Sequence, residues 1–231
     1  MINLYRNIMA RVGTVFVLAW AFGIGTASTA DATLMLRLID PTMPGSEVTI
    51  VDQGANDINT TPGVVMFSGS VGGFAVNVST GVSKPVLGSA AFPSIDLNSI
   101  DLTTRTGGSL QIWLTDTGFT ALGPAIMAIG GTTVGNVTYN AWADESNVEF
   151  ATGNQIGSLG PLSGAFSGTT GSLGLVASLS PYSLTQEVLI VQTTAGASSF
   201  NAALAVPEPA TMALFGLSLV GVVVFARRRT Q

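Results

Sequence analysis

The chain has 231 residues, among them 13 acidic and 8 basic side chains, but neither cysteine nor histidine. The lack of cysteine excludes disulfide bonds, and the lack of histidine excludes the Ser-His and Cys-His nucleophile pairs and most zinc sites. Because basic residues are sparse in the central part of the chain, the composition also argues against a protein that binds nucleic acid. We therefore expect a protein with no catalytic activity and no cofactor.

Residues 1–30 have the pattern of a secretory signal peptide. Arg6 and Arg11 come first, an uncharged apolar run follows at residues 12–24, and small residues follow at 25–32. This order of a positive segment, an apolar segment and a small-residue cleavage site predicts a signal helix that is removed on export. The alternative is an N-terminal anchor that is not cleaved.

Residues 31–205 predict one all-β domain, an antiparallel β-sandwich. Short runs rich in Val, Ile, Leu and Thr are bounded by Gly, Pro, Asn and Asp. Such runs indicate roughly nine to eleven strands, with a hairpin turn at Gly72 and Gly73. Residues 119–129 predict a short helix or an irregular loop, because Gly123-Pro124 disfavours a long helix. The Gly- and Ser-rich residues 153–174 predict loops and short edge strands.

Oxygen-bearing side chains cluster after the second predicted strand. Asp52, Asp57 and Asn59 lie within eight residues of each other, and carboxylate and amide oxygens are the ligands that Ca²⁺ prefers. Their spacing matches neither an EF-hand loop nor a repeat of the calcium-binding β-helix. Asp, Asn and Gly are also the residues that ordinary turns use. We regard the cluster as a candidate calcium site, with a plain turn as the favoured alternative.

Aromatic side chains suggest a second kind of site. Trp113 and Trp142, together with Tyr139 and Phe119, are candidates for a surface on which sugar rings stack. Burial in the core is the usual place for large aromatic side chains. Trp113 is the strongest exception, because its neighbours Ile112 and Leu114 must point to the opposite face of their strand.

Carboxylates near Trp142 raise the hypothesis of a glycan hydrolase. Asp144, Glu145 and Glu149 are close in sequence, and a pair of carboxylates is what glycoside hydrolysis requires. A solvated acidic loop is the favoured interpretation. Asp96 and Asp101 are an odd number of residues apart, so a regular strand would place them on opposite faces and exclude them as a catalytic pair.

The C-terminal segment, residues 206–231, combines three elements in a fixed order. Pro207, Glu208 and Pro209 come first, and an uncharged apolar run follows at residues 210–226. The run spans roughly 25 Å as a helix, slightly less than a bilayer core. Three basic residues end the segment and favour a cytoplasmic C-terminus by the positive-inside rule: Arg227, Arg228 and Arg229.

This tail resembles the PEP-CTERM sorting signal of Gram-negative bacteria. The resemblance covers residues 206–231 alone, and it implies recognition and cleavage by an exosortase, a membrane-embedded cysteine transpeptidase. It also implies an organism that makes exopolysaccharide. The alternative is a plain membrane anchor with one span, in which the arginines stop transfer.

Together these patterns predict an exported surface or extracellular-matrix protein. We expect it to pass through a membrane intermediate with one span, to be sorted by an exosortase, and to be associated with exopolysaccharide or biofilm. Its candidate partners are the exosortase, the membrane and extracellular polysaccharide. A carbohydrate-binding or adhesive module is the alternative function.

Overall fold

A computed structural model describes residues 33–121, 123–170, 173–176 and 181–207. The predicted signal helix at residues 1–30 and the predicted transmembrane helix at residues 210–226 lie outside these ranges. No helix that is long and apolar enough to cross a membrane occurs among the described residues.

The described residues form eleven strands that pair in antiparallel fashion, which confirms the predicted all-β class. The Gly72-Gly73 hairpin is also confirmed, since Val71 pairs with Phe74. In chain order the strands are β1 (Met35–Ile39), β2 (Glu47–Val51), β3 (Val64–Val71), β4 (Phe74–Val82), β5 (Ser94–Thr104), β6 (Gly108–Phe119), β7 (Gly123–Asp144), β8 (Asn154–Thr169), β9 (Leu173–Val176), β10 (Tyr182–Gln192) and β11 (Gly196–Ala205).

The longest strand, β7, connects two layers of the sheet. Residues 136–144 of β7 pair with β10, in a layer that runs β2-β1-β6-β10. Residues 126–133 of β7 pair with β11, in a layer that runs β11-β5-β4-β3. Strand β8 pairs with β7 along both parts, and β9 pairs with its first residues. We call the layer with β10 the first layer and the layer with β11 the second.

The two layers face each other across one apolar core. Leu36 and Leu38 of β1, like Ile95 and Leu97 of β5, alternate with more exposed residues and are fully buried. A Cβ atom added to Gly81 of β4 would come within 2.3 Å of the Leu114 side chain of β6. This contact between strands of different layers identifies the arrangement as a β-sandwich.

Two segments differ from the prediction. Residues 123–129 form the first part of β7, so the expected helix or loop at 119–129 is wrong. Ala125, Met127 and Ile129 point into the core, but the apolar residues between them hide the alternation. Residues 154–169 form the 16-residue strand β8, so the expected loops and short strands are also wrong. Its pairing with β7 is interrupted by register shifts, which break the period of two in its apolar residues.

Candidate functional site

A stacked pair of tryptophans lies on the outer face of the first layer. Trp113 belongs to β6 and Trp142 to β7, and their ring centroids are 5.5 Å apart with 17° between the ring planes. Both residues are half-buried. The inward neighbours Ile112 and Leu114 are fully buried, so Trp113 points outward as its alternation predicted. Strand β10 runs between the two, and its register brings together side chains that are 29 positions apart in sequence.

A buried carboxylate lies next to the tryptophans. Glu187 of β10 pairs in register with Trp113 on one side and with Asn140 on the other. Its Oε1 accepts a hydrogen bond of 3.0 Å from the Gln111 amide, and its Oε2 accepts one of 3.0 Å from the Asn140 amide. Burial raises the pKa of Glu187, although these two hydrogen bonds lower it. Glu187 is therefore a rigidly held acceptor beside the two indole rings.

A cationic edge borders this face on β1. The Arg37 guanidinium lies 3.8 Å from the centroid of the Phe150 ring and forms an ion pair of 3.2 Å with Glu47. The backbone N–H of Phe150 donates to the hydroxyl of Thr115, 3.2 Å away, and thereby covers that part of the outer face. Among the described residues, the buried indole N–H of Trp113 finds no acceptor. Indole rings, amides, a carboxylate and a guanidinium are together the groups that recognise sugars.

Sequence reasoning found the two tryptophans but missed three polar neighbours, Gln111, Asn140 and Glu187. A signal for two of them was available, because residues two apart on a strand share a face. Gln111 is two residues from Trp113, and Asn140 is two residues from Trp142. Glu187 carried no such signal, since only the pairing of β10 with β6 and β7 brings it to this face.

Tyr139 and Phe119 do not belong to the outer face, and their proposed part in sugar stacking is wrong. Both are fully buried in the core. The Tyr139 hydroxyl donates a hydrogen bond of 2.7 Å to the amide oxygen of Gln186. Ala141 and Ala143 point inward as well, so Tyr139 is on the core face of β7 and Trp142 on the outer face.

The candidate calcium ligands bind backbone N–H groups in the described structure. Oδ1 of Asp57 accepts from the N–H groups of Asn59 and Met66, at 3.0 Å each. Oδ2 of Asp52 accepts from Gly63 at 2.7 Å, and the Asn59 side chain accepts from a backbone N–H two residues on. Within the part of the chain that the structure describes, no cluster of three or more His, Cys, Asp or Glu residues suits a metal ion. Calcium binding stays a prediction.

Asp144 also organises a turn. Its Oδ1 accepts from Ser146 and its Oδ2 from Gly153, each at 2.8 Å. Hydrogen bonds from Ser146 are the main cause that lowers the pKa of Asp144. The bonds from Ser146 and Gly153 hold the Asp144 carboxylate in the turn, whereas Glu145 is exposed and Glu149 is half-buried in the loop that follows.

Asp96 and Asp101 lie on the same face of β5, so the predicted opposite orientation is wrong. The buried residues Ile95 and Leu97 flank Asp96, and the buried Ile100 directly precedes Asp101. Two exposed residues lie between Leu97 and Ile100. One of those two, Ser99, has a φ of 54°. This is a β-bulge, which adds one residue and reverses the alternation that follows it. Asp96 borders a shallow groove of about 610 Å³ on the outer face of the second layer.

The folded body ends where the sorting motif begins. Val206 is 3% exposed, and its N–H donates to the carbonyl oxygen of Pro93 at 3.0 Å. Pro207, the next residue, is exposed. The remaining predicted residues of the tail, Glu208, Pro209, Arg227, Arg228 and Arg229, lie outside the described residues.

Comparison with known proteins supports the interpretation of the tail. The family model of the PEP-CTERM protein-sorting motif matches residues 205–229 and confirms the resemblance predicted from the sequence. No curated protein matches the chain.

Solved structures resemble the body at low similarity. One is a carbohydrate-binding module in complex with β-1,4-galactotriose, with 10% identity and a TM-score of 0.31, covering 54% of this chain and 85% of that chain. A second belongs to the carbohydrate-binding modules of the β-sandwich superfamily, with 10% identity and a TM-score of 0.30, covering 74% and 71%. A third is infectious bursal disease virus, Gx strain, with 12% identity and a TM-score of 0.32, covering 75% and 55%.

At such TM-scores these structures carry no argument about the function of the body. The family match is limited to the tail, whose order of elements is now supported independently. The C-terminal tail of this chain carries a PEP-CTERM protein-sorting motif.

Proposed function

We propose that this protein is an exported cell-surface or extracellular-matrix protein that an exosortase processes through its C-terminal tail. The match of the sorting motif to residues 205–229 is the observation that supports this proposal. The exposed position of Pro207 directly after the last buried residue is consistent with access by a processing enzyme. The β-sandwich is the cargo, and we propose that it has no catalytic activity and is associated with exopolysaccharide.

The proposal is tested by the mass of the mature protein recovered from its host. We expect a chain that lacks residues 1–30 and ends within the motif, whereas Glu208→Ala keeps the full tail in the membrane fraction. Glu145→Ala is the matched control for Glu208→Ala, because Glu145 is exposed in a turn outside the motif. A wild-type chain that keeps Arg227, Arg228 and Arg229 in its host would contradict the proposal.

The second candidate function is binding of polysaccharide by the outer face of the first layer. The stacked Trp113–Trp142 pair beside the buried Glu187 favours it. Sugar rings stack on indole faces, while their hydroxyl groups donate to carboxylates and accept from amides and guanidinium groups. Gln111, Asn140 and Arg37 supply such donors next to the pair.

Tryptophan fluorescence gives a direct test. The chain has three tryptophans, and the third, Trp20, is in the predicted signal peptide, so a chain without residues 1–30 reports on the pair alone. We expect polysaccharide from the host to shift the emission, and Trp142→Ala to abolish binding measured by calorimetry. Phe92→Ala, at an exposed aromatic in a loop, is the matched control. An unchanged spectrum at millimolar sugar would contradict this candidate.

A further inference from the structure

A buried lysine and a buried aspartate connect the two layers of the sandwich. Lys84 follows β4 in the second layer, and Asp116 belongs to β6 in the first. Lys84 Nζ lies 2.7 Å from Oδ2 of Asp116. The Asp116 side chain is fully buried and the Lys84 side chain is 11% exposed. Neither residue takes part in the tryptophan face or in the sorting motif.

The contacts around the pair hold the Lys84 ammonium and the Asp116 carboxylate in place. Oδ2 of Asp116 also accepts from the Ser83 hydroxyl at 2.5 Å, and its Oδ1 accepts from the N–H of Thr117 at 2.7 Å. The Lys84 ammonium donates to the carbonyl oxygen of Thr117 and lies 3.9 Å from the centroid of the Phe119 ring. The nitrogen is therefore held within hydrogen-bond distance of a carboxyl group that cannot rotate freely, so the two groups are already positioned next to each other.

The surroundings make the neutral amine of Lys84 easier to reach than it is in water. Burial is the main cause that lowers the pKa of Lys84, although the charge and the hydrogen bond of Asp116 oppose it. The reactive pair is reached when one proton moves from the ammonium to the carboxylate along their 2.7 Å contact. A neutral amine beside a protonated carboxyl group is the reactive form for amide formation.

A second carboxylate is close to Asp116. Asp52 donates its backbone N–H to Leu34 at 3.0 Å, and Leu34 lies in the register opposite Asp116 because Met35 pairs with Thr115. Oδ1 of Asp52 is buried and has no hydrogen-bond partner among the described residues. Burial, followed by the charges of Asp57 and Asp116, raises the pKa of Asp52. Repulsion by the charge of Asp116 therefore favours the protonated form of Asp52.

We propose that Lys84 and Asp116 form an intramolecular amide bond that joins the two layers, with Asp52 as a positioning residue. The lone pair of Nζ attacks Cγ of the protonated Asp116 side chain, and a C–N bond forms. The bond from Cγ to its hydroxyl oxygen then breaks, and the hydroxyl leaves as water with one proton from the amine. The step needs no oxidant, reductant or second substrate. In an exported chain without cysteine, it supplies the covalent cross-link that disulfides provide elsewhere.

The cross-link is tested by tryptic mapping of the full-length protein, purified folded in detergent and denatured before digestion. Trypsin does not cleave before proline, so Lys84, followed by Pro85, remains inside the peptide 38–105. Asp116 is in the next peptide, which runs from residue 106 to residue 227. We expect one species with the summed mass of the two peptides minus one water. Two separate peptides at their full masses would overturn the proposal.

Variants assign the bond to these side chains. We expect Lys84→Arg and Asp116→Ala to give two separate peptides. We expect Asp116→Asn to form the amide bond as well, with loss of ammonia in place of water. Its cross-linked species therefore has the same mass as that of the wild type. We expect a wild-type chain that has never folded, because it is kept in denaturant, to remain without the cross-link. The cross-linked species appears only after this chain is refolded. A cross-link that persists in Lys84→Arg would overturn the assignment.

The role of Asp52 is tested by the rate at which the linked species appears after refolding. We expect Asp52→Asn to slow the reaction at least tenfold, and Asp52→Glu, which restores the carboxyl group, to recover most of the rate. Glu47→Gln, at an exposed carboxylate at the other end of β2, is the control for a lost charge. Equal rates in Asp52→Asn and the wild type would remove Asp52 from the mechanism.

Discussion

The backbone N–H of Val206 donates a hydrogen bond of 3.0 Å to the carbonyl oxygen of Pro93. Val206 is buried and Pro207 is exposed. The buried part of the folded domain therefore ends directly before the Pro207-Glu208-Pro209 sequence. The motif matches from residue 205 onward, and Ala205 still pairs with Ser94 of β5 and Ile126 of β7. Under the proposed function, a processing enzyme would therefore meet its substrate directly beside a folded sheet.

Val206→Ala tests this boundary. Removing the buried side chain loosens the end of β11 and is expected to lower the free energy of unfolding by about 1 to 3 kcal/mol. We also expect faster processing in the host, because the residues before the motif become more accessible. Urea denaturation and the time course of mature protein measure the two effects. Val71→Ala, which empties a similar part of the core in the β3–β4 hairpin, is the matched control for lost stability. Slower processing of Val206→Ala would contradict the prediction.

Glu187 makes stability depend on pH. Its pKa is raised in the folded state by burial, so between the ordinary pKa of Glu and the raised value the folded state binds more protons than the unfolded state. The contribution of Glu187 to stability is therefore full below the ordinary pKa and is lost as pH rises through the raised value. Denaturation series over this window are expected to show a decrease with pH in the wild type that is smaller in Glu187→Gln. Identical slopes would contradict the prediction.

Asp40 connects β1 to the β3–β4 hairpin. Its Oδ2 accepts from the N–H of Gly73 at 2.9 Å, and its Oδ1 accepts from the N–H of Thr42 at 2.9 Å. Asp40→Ala removes the buried charged acceptor of both N–H groups, which is expected to cost about 1 to 3 kcal/mol of unfolding free energy. Asp101→Ala, on a half-buried aspartate of β5, is the matched control. An equal loss in both variants, measured by urea denaturation, would show that the Asp40 contacts contribute nothing specific.

Gly135 permits the passage of β7 from one layer to the other. A Cβ atom added at this position would lie 2.1 Å from the carbonyl oxygen of Val191, which is backbone and cannot move aside. Gly135→Ala is expected to destabilise the domain by about 1 to 3 kcal/mol through overpacking. At Gly130 of the same strand an added Cβ finds its nearest atom at 3.7 Å, so Gly130→Ala is the matched control. Equal melting temperatures of the two variants would contradict this account.

The sequence predicted the fold well where the alternation of apolar and polar residues was clean. In β6 the residues Leu110, Ile112 and Leu114 alternate with polar residues and Trp113, and the structure buries all three leucine and isoleucine side chains. The prediction failed where local patterns were masked. In β5 the bulge at Ser99 shifts the phase by one residue, and nothing in the local composition indicates a bulge that is stabilised by the Asn201 side chain of β11.

The sites were predicted only in part for a similar reason. The outward direction of Trp113 follows from its neighbours, but its stacking on Trp142 depends on β10 lying between β6 and β7. Lys84 appeared in the sequence as one of a few basic residues, and Asp116 carried no motif at all. They meet because Lys84, which follows β4 in the second layer, reaches β6 in the first layer.

The sequence by itself determined the secretory pattern at one end, the sorting tail at the other and the all-β class between them. Each of these depends on the order of residues along a short stretch, which local charge, apolar length and alternation report directly. Only the tertiary structure decided which side chains meet: Trp113 with Trp142, Glu187 with Asn140, and Lys84 with Asp116. Pairing between antiparallel strands joins residues far apart in the chain, and a register or a layer contact is set by packing of the whole core.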